Sequence, residues 1–307
     1  MPIDTAHPMH SADAAAVRLH DVLDQCASGR LPANVALMQA IGAAGSPDEF
    51  ERAAHRAVAG STGVEADRLQ HLVALWQQSP NAWQTVRAVL AEVDRSPLTA
   101  ARPASEGFAE LFDRLAEVAP DAASALYALG RPDILDAATA SIVETLAHWG
   151  LLGRDRDVLD LGCGAGRVSL AVAEHVRSVA GIDVSRAMLA LARSRRKAAN
   201  NVTFHLTDGS SLTGFGDACF DLVTAVDVFP YLVAGEDTSA RHIQECARVL
   251  RPGGALVIFN FSYTLALVEQ CRLVDERATG ARMSVVRSGT RDLRWWDGVT
   301  FHLVKAA

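Results

Sequence analysis

The chain has 307 residues, of which 50% are hydrophobic and 21% charged, so it can bury a sizeable core as two domains or one elaborated domain, and disorder is not the expectation. A formal net charge of −7 argues against a general nucleic-acid binder, which would present a basic face. Five cysteines (Cys26, Cys163, Cys219, Cys246, Cys271) without a C-x-x-C pair form neither a disulfide framework nor a zinc site, and reduced thiols in a cytoplasmic protein fit better. No secretory leader is visible at Met1-Pro2-Ile3-Asp4, and no uninterrupted apolar run approaches membrane-spanning length, so no membrane association is expected.

Residues 1 to about 10 read as a loose tail. From Ser11 to about Val93 the chain is alanine-rich and helical in pattern. Ser46-Pro47-Asp48-Glu49 is a helix start with serine as N-cap, proline first and glutamate closing a capping box; Ser79-Pro80 repeats the start without the glutamate. Leu69, Leu72, Val73 and Trp76 share one helical face, as do Trp83, Val86, Leu90 and Val93, which is the pattern of a small helical bundle. Ser96 to Glu106, with Pro97 and Pro103, reads as a linker. Phe108, Leu111, Phe112, Leu115 and Val118 then mark another amphipathic helix, followed by a short helix from Pro120 and a break at Gly130-Arg131-Pro132. The expected division is residues 1–95 as a helical region, 96–132 as linker and cap helices, and 133–307 as the main domain.

From Asp133 a helix to Trp149 leads into a strand and a glycine loop, Val158-Leu159-Asp160-Leu161-Gly162-Cys163-Gly164-Ala165-Gly166-Arg167. Asp157 to Leu161 supplies the apolar run, and helical spacing resumes near Val168. Glycine in such a turn admits a ligand close to the backbone, and the helix amino terminus beyond it carries N–H groups that face that ligand. The dinucleotide fingerprint G-x-G-x-x-G does not match, because the sixth place holds Arg167. Asp160, at the strand end, suits an ammonium or sulfonium and opposes a pyrophosphate. Cys163 reads as a small residue fitting a crowded turn.

Strands follow at Val179–Asp183, Val202–Thr207, Phe220–Val228 and Ala255–Asn260, the last entered through Arg251-Pro252-Gly253-Gly254. Asp183 ends the second, and Asp208-Gly209 follows the third. Helices are expected at Val168–Val176, Arg186–Ala199, Thr238–Leu250 and Leu265–Thr279. Strand alternating with helix argues a parallel sheet covered on both faces. Leu293 to Val304 reads as a hairpin around Asp297-Gly298, which makes one strand antiparallel.

The stretches VLDLGCGAGRVSL, GIDVS, HLTDGSSL, FDLVTAVDVF and ECARVLRPGGALVIF, in this order, resemble the class I S-adenosylmethionine-dependent methyltransferases from about residue 130 onward. The resemblance implies an α/β, Rossmann-like, doubly wound seven-stranded sheet, mostly parallel with an antiparallel last strand, behind the all-α region. It implies S-adenosylmethionine as cofactor. The methionine part would lie over Gly162, Cys163, Gly164 and Gly166 near Asp160, the ribose hydroxyls on Asp183, and the adenine amino group on Asp208 beside Gly209. Val184 and Met188 would pack on the adenine. The loop after the fourth strand, Asp227-Val228-Phe229-Pro230-Tyr231, would face the methyl-transfer side, with Asp227 among the cofactor contacts. Many amino-group methylators of the family carry Asn/Asp-Pro-Pro-aromatic there; this chain departs from it, which leaves a small-molecule O, N or C acceptor open.

Tyr231 reads as a wall of the acceptor pocket rather than a base, and His242 as a solvated helix position rather than a base. Tyr127 and His148 are candidates to roof the cofactor. The N-terminal helices would form a lid over the acceptor pocket or a dimerisation module. A binding protein that holds the cofactor without turnover and a nicotinamide-dependent oxidoreductase are the rival readings; Arg167 and Asp160 count against the latter.

Overall fold

The computed structural model describes residues 18–95, 104–196, 199–233 and 238–306. The expected tail and most of the expected linker lie outside them. Five helices open the described chain: α1 (Leu19–Ala27), α2 (Ala33–Ala43), α3 (Pro47–Gly60), α4 (Gly63–Gln77) and α5 (Ala82–Asp94). The start of α3 follows its sequence signal. Ser46 Oγ accepts from the Glu49 N–H at 3.2 Å, and Glu49 reaches back to the Gly45 N–H at 2.8 Å. Ser79-Pro80 does not start a helix; α5 begins two residues later, after Asn81.

The apolar stripes pack as a core. α2 buries Val35, Ala36, Leu37, Ala40 and Ile41 and sits at the centre, against Phe50, Leu69, Leu72 and Val86. Trp76 stands edge-on to Phe50 at 5.0 Å and to Trp83 at 6.5 Å. This core is continuous with Val158, Val257, Phe259 and Trp296 of the following α/β part, so the bundle and one face of the sheet are packed as one body of side chains. Buried Asn34 joins them with two donated bonds, to Tyr127 O at 3.0 Å and Trp295 O at 2.8 Å.

Next come α6 (Ala104–Val118), α7 (Pro120–Ser124), a 3-10 turn at Leu126–Ala128 and α8 (Pro132–His148). The rest alternates: β1 (Asp157–Leu161), α9 (Arg167–Ala173), β2 (Ser178–Asp183), α10 (Arg186–Arg195), β3 (Val202–Leu206), β4 (Phe220–Val226), α11 (Phe229–Val233), α12 (Thr238–Val249), β5 (Leu250–Phe259), α13 (Leu267–Gly280), β6 (Met283–Thr290) and β7 (Thr300–Lys305). The strands form a seven-stranded sheet in the order β3-β2-β1-β4-β5-β7-β6. The first five are parallel, and β7 runs antiparallel between β5 and β6. Strand order reverses between β1 and β4, and in such sheets the ligand crevice lies outside the carboxyl ends at that point.

One expectation is overturned here. The last two strands are not a hairpin around Asp297-Gly298; β7 pairs with β6, a strand absent from the sequence reading. The segment between them is drawn away from the ladder. Trp296 stacks on Tyr127 at 5.4 Å, and Asn34 takes the Trp295 carbonyl. Contact with the helical bundle therefore outweighs a local turn signal.

The amino ends of the strands are tied by charge. Asp157 of β1 accepts from Arg177 before β2 at 2.8 Å and from Arg251 of β5 at 2.9 Å; Arg251 also donates to Asp221 of β4 at 2.6 Å. Those donors hold the Asp157 carboxyl well below the usual carboxylate range, the Arg177 bond first among them.

Candidate functional site

A cavity of about 400 Å³ opens at the carboxyl ends of β1 and β4, a volume within the roughly 300–1,000 Å³ of ligand pockets. Its floor is the glycine loop. Gly162, Gly164 and Gly166 have φ of +70°, +51° and +80°, a backbone that side chains disfavour. A Cβ on Gly162 would meet Val228 at 2.6 Å, whereas one on Gly164 would meet only Ser124 Oγ at 3.7 Å and stand in the cavity. Gly166 does not line the cavity. It caps α9, and a Cβ there would strike Phe204 and Ala192, so it serves close packing of helix on sheet.

Three of the loop N–H groups are engaged inside the protein. Gly162 and Cys163 donate to Ile182 O at 2.9 Å, and Gly164 donates to Asp183 Oδ2 at 2.8 Å. What faces the cavity is carboxylate: Asp160 after the heart of β1, Asp183 at the end of β2 and Asp227 after β4. Asp160 is 2% exposed and accepts from Ser169 Oγ at 2.5 Å and Thr224 Oγ1 at 3.0 Å. Burial nevertheless pushes its carboxyl up to about 6. Asp183 is raised too, by burial, against the bonds it takes from the N–H groups of Ser185 and Gly164. Asp227 is pushed up to about 6 by burial while accepting from Tyr263 and Asn260. Arg167 also lines the cavity, braced by donation to Thr139 Oγ1 at 3.0 Å and to Tyr127 Oη at 3.3 Å.

Two apolar groups complete the walls. Ile182, Val184 and Met188 line one side, and Phe108 and Phe112 of α6 meet Tyr231 of α11 edge-on at 4.9 and 5.4 Å on another. α6 is fastened over the site by Asp113, whose Oδ1 accepts from Ser185 Oγ at 2.6 Å and from the Ala187 N–H at 2.9 Å. Arg195 of α10 pairs with Asp121 of α7 at 2.7 Å. Lining from the N-terminal side comes from α6 and α7, and no described residue of 18–95 lines the cavity.

The expected site residues divide accordingly. Asp160, Gly162, Cys163, Gly164, Asp183, Val184, Met188, Gly209 and Asp227 line one cavity. Asp208 does not: it is exposed, and its carboxylate accepts from the N–H and Oγ of Ser210, while Thr207, Gly209 and Ser210 do line it. The Cys163 thiol is buried and its pKa is raised by desolvation, an inert group in the turn. His242 is not solvated; it is 2% exposed, lines the cavity and shares a 2.8 Å bond with Thr238 O, and burial lowers its pKa. Neither roof candidate reaches the cavity. His148 is exposed at the end of α8, and Tyr127 is buried behind Arg167. Sequence reasoning missed Asn260, Tyr263, Asp113 and the α6 aromatics as site components. Asn260 alone had a signal, since it follows a parallel strand end.

The polar lining of the cavity combines the three carboxylates with Arg167, Arg241, His242 and several hydroxyls. The carboxylates suit a ligand with hydroxyls, an amine and a positive charge. A flat ring suits the Val184–Met188 side. No group of three or more His, Cys, Asp or Glu side chains stands together to hold a metal among the described residues, and no described helix is long and apolar enough to cross a membrane.

Comparison with known proteins agrees in fold and motif. A family model described as "Methyltransferase domain" matches residues 159–258. The chain is 36% identical over 124 residues to demethylmenaquinone methyltransferase of Tropheryma whipplei (strain Twist), covering 38% of this chain and 49% of that one. It is 34% identical over 110 residues to ubiquinone biosynthesis O-methyltransferase of Azoarcus sp. (strain BH72), covering 36% and 45%. It therefore spans about half the length of the curated relatives it matches. Among solved structures, magnesium protoporphyrin IX methyltransferase from Synechocystis PCC 6803 aligns with TM-score 0.51 at 20% identity, over 68% of this chain and 100% of that one. Phosphoethanolamine N-methyltransferase 1 from Haemonchus contortus aligns with TM-score 0.52 at 16% identity, over 66% and 49%. Those two likenesses concern the fold.

Proposed function

We propose that over its C-terminal part this chain is a class I S-adenosylmethionine-dependent methyltransferase, and that it methylates a small, ring-bearing acceptor of the kind met in quinone biosynthesis. The observation that carries the cofactor reading is the cavity's three carboxylates at neighbouring strand ends, combined with the N–H groups of Gly162, Cys163 and Gly164 engaged inside the protein. Bound there, S-adenosylmethionine supplies a methyl carbon on positively charged sulfur. Asp183 is assigned the ribose hydroxyls, Val184 and Met188 the adenine face, the Thr207–Ser210 turn braced by Asp208 the ring edge, and Asp160 with the Gly162–Gly164 loop the methionine part.

Methyl transfer from a sulfonium is an in-line displacement that neutralises charge, so alignment and exclusion of water supply much of the rate. The chain has the parts for both. α6 and α11 bring Phe108, Phe112 and Tyr231 to the cavity as an apolar wall, and Asp113 holds α6 in place. That wall suits an aromatic ring, and it agrees with the ring-bearing acceptors that the names of the quinone-biosynthesis relatives imply.

Calorimetric titration with S-adenosylmethionine, S-adenosylhomocysteine and NADH, repeated on Asp183→Ala, tests the proposal. The first two are expected to bind and NADH not to, with a loss of roughly 1–3 kcal/mol in the variant as a hydrogen-bonded charge is removed. NADH binding alone, or no nucleotide binding by the folded protein, overturns it. Methylation of hydroquinols and catechols, followed by mass spectrometry, then tests the acceptor class.

A further inference from the structure

Asp227 differs from the other two carboxylates in the cavity. Asp160 is held by Ser169 of α9 and Thr224 of β4, and Asp183 by the N–H groups of the Gly164 and Ser185 loops. Asp227 is held from outside the sheet. It follows β4 with φ +59°, and Asn260 follows the adjacent β5 with φ +71°. Left-handed backbone is uncommon outside glycine and collects at sites where the surrounding structure enforces it. Here two neighbouring strand ends turn the same way and their side chains meet, Asn260 Nδ2 donating to Asp227 Oδ1 at 2.8 Å.

The second oxygen meets a tyrosine. Tyr263, on the loop after β5 and 43% exposed, donates its hydroxyl to Asp227 Oδ2 at 2.5 Å. A further hydrogen bond links Tyr263 to Tyr231, whose ring belongs to the aromatic wall. A carboxylate oxygen accepts more than one bond, so both oxygens keep capacity toward the cavity that Asp227 lines. The result is a carboxylate fixed by two donors, open to the acceptor side and joined through a hydroxyl to the surface.

Resting on the methyl-transfer reading of this cavity, we propose that Asp227 takes the proton of a ring hydroxyl on the acceptor as that oxygen is methylated, and that Tyr263 positions the carboxylate and links it to solvent. An amine or a carbon already rich in electrons needs no such partner at the moment of attack, whereas a hydroxyl keeps a proton that must leave. The balance is complete. The acceptor O–H bond breaks and its proton goes to Asp227; a lone pair of that oxygen forms the bond to the methyl carbon. The carbon–sulfur bond breaks with its pair left on sulfur. The products are the methyl ether, S-adenosylhomocysteine and one proton, which passes from Asp227 to solvent.

The surroundings put Asp227, like Asp160, among the groups that titrate in the working range. Arg167 from α9 favours its charged form, and Asp297 between β6 and β7 opposes it. Tyr127, Tyr231 and Tyr263 also face it, and burial raises the phenols of Tyr127 and Tyr231 above their ordinary value. Asp227 itself is lifted to about 6 by burial, so it is a carboxylate above that pH and a carboxylic acid below it.

The test uses the whole chain loaded with S-adenosylhomocysteine and a pair of probes, phenol and anisole, which differ by the proton in question. Calorimetry at pH 7.5 is expected to show phenol bound at least tenfold more tightly than anisole. That preference should fade as pH drops through about 6 and vanish in Asp227→Asn. Tyr263→Phe should keep the preference but move its lower limit to higher pH, because the carboxylate loses a donor. Equal binding of the two probes, binding of neither, or a preference that survives in Asp227→Asn overturns the proposal for Asp227. An unmoved limit in Tyr263→Phe overturns the role of Tyr263. Failure of the unmutated chain to bind S-adenosylhomocysteine is a different result, and it removes the cofactor reading itself.

Discussion

At the scale of single residues, the cavity keeps acids in places that oppose their ionisation. Asp160 titrates near 6 although two hydroxyls donate to it. Its pKa in the folded chain lies above the unfolded value of about 3.9. The folded state therefore holds the extra proton between pH 4 and 6, and the stability linked to it is present below about pH 4 and lost as pH rises through 6. Ionised Asp160 then costs folding roughly 2–3 kcal/mol, a strain that a cation beside it relieves. The ratio of affinities for S-adenosylmethionine and S-adenosylhomocysteine, which differ by the sulfonium charge, should rise roughly tenfold from pH 5 to pH 7.5. Calorimetry should find the ratio flat in Asp160→Asn, whose ligand-free form should melt higher above pH 6. The strand-end acids were legible in the sequence because position at a strand end is a local property. The burial that sets their titration is not local, and nor is the turning of Asp208 toward Ser210, which takes it off the cavity lining.

At the scale of elements, α6 decides whether the cavity has a wall. Its sequence stripe of Phe108, Leu111, Phe112 and Leu115 announced an amphipathic helix but not its partner. Leu111 and Leu115 pack with Val89 and Val93 of α5 and Ala122 of α7, while Phe108 and Phe112 are turned to the cavity. Asp113 then locks the helix to the start of α10. Asp113→Ala removes the acceptor of two donors, at a cost of about 1–3 kcal/mol to that contact. Hydrogen exchange in α6 should accelerate, and S-adenosylhomocysteine should bind more weakly, while the amides of β1 and β4 keep their protection. Equal protection of α6 in variant and parent would show that the leucine face alone holds it.

At the scale of the whole molecule, the two ends of the sheet respond oppositely to pH. At the carboxyl ends, burial raises the acids. At the amino ends, Asp157 is held low by Arg177, Ser178 and Arg251. A depressed acid stabilises the fold above its unfolded value near 4, and that contribution is lost as pH falls below it. Arg177 is half exposed, so solvent screens much of that pair. Urea unfolding followed from pH 3 to 8 should therefore show greatest stability near pH 4, declining from there toward pH 6. Arg251→Met should remove part of the acid limb without touching the limb near pH 6. The β1, β4 and β5 strands that this network ties were each readable in sequence, yet Arg251 itself had read as part of a turn rather than as a strand residue bonded to two acids.

The sequence by itself determined the parallel sheet, the glycine loop, the order of the five motifs and two acids at strand ends, because strand period, glycine turns and helix caps are written in neighbouring residues. Tertiary structure decided the rest. It paired β7 with β6 and drew Trp295 and Trp296 onto the helical bundle, buried His242, engaged the N–H groups of Gly162, Cys163 and Gly164 inside the protein, and brought Tyr263, Asn260 and Asp227 together from separate strand ends. Each of these depends on side chains far apart in the chain competing for the same contact, and that competition is settled only when the whole core closes.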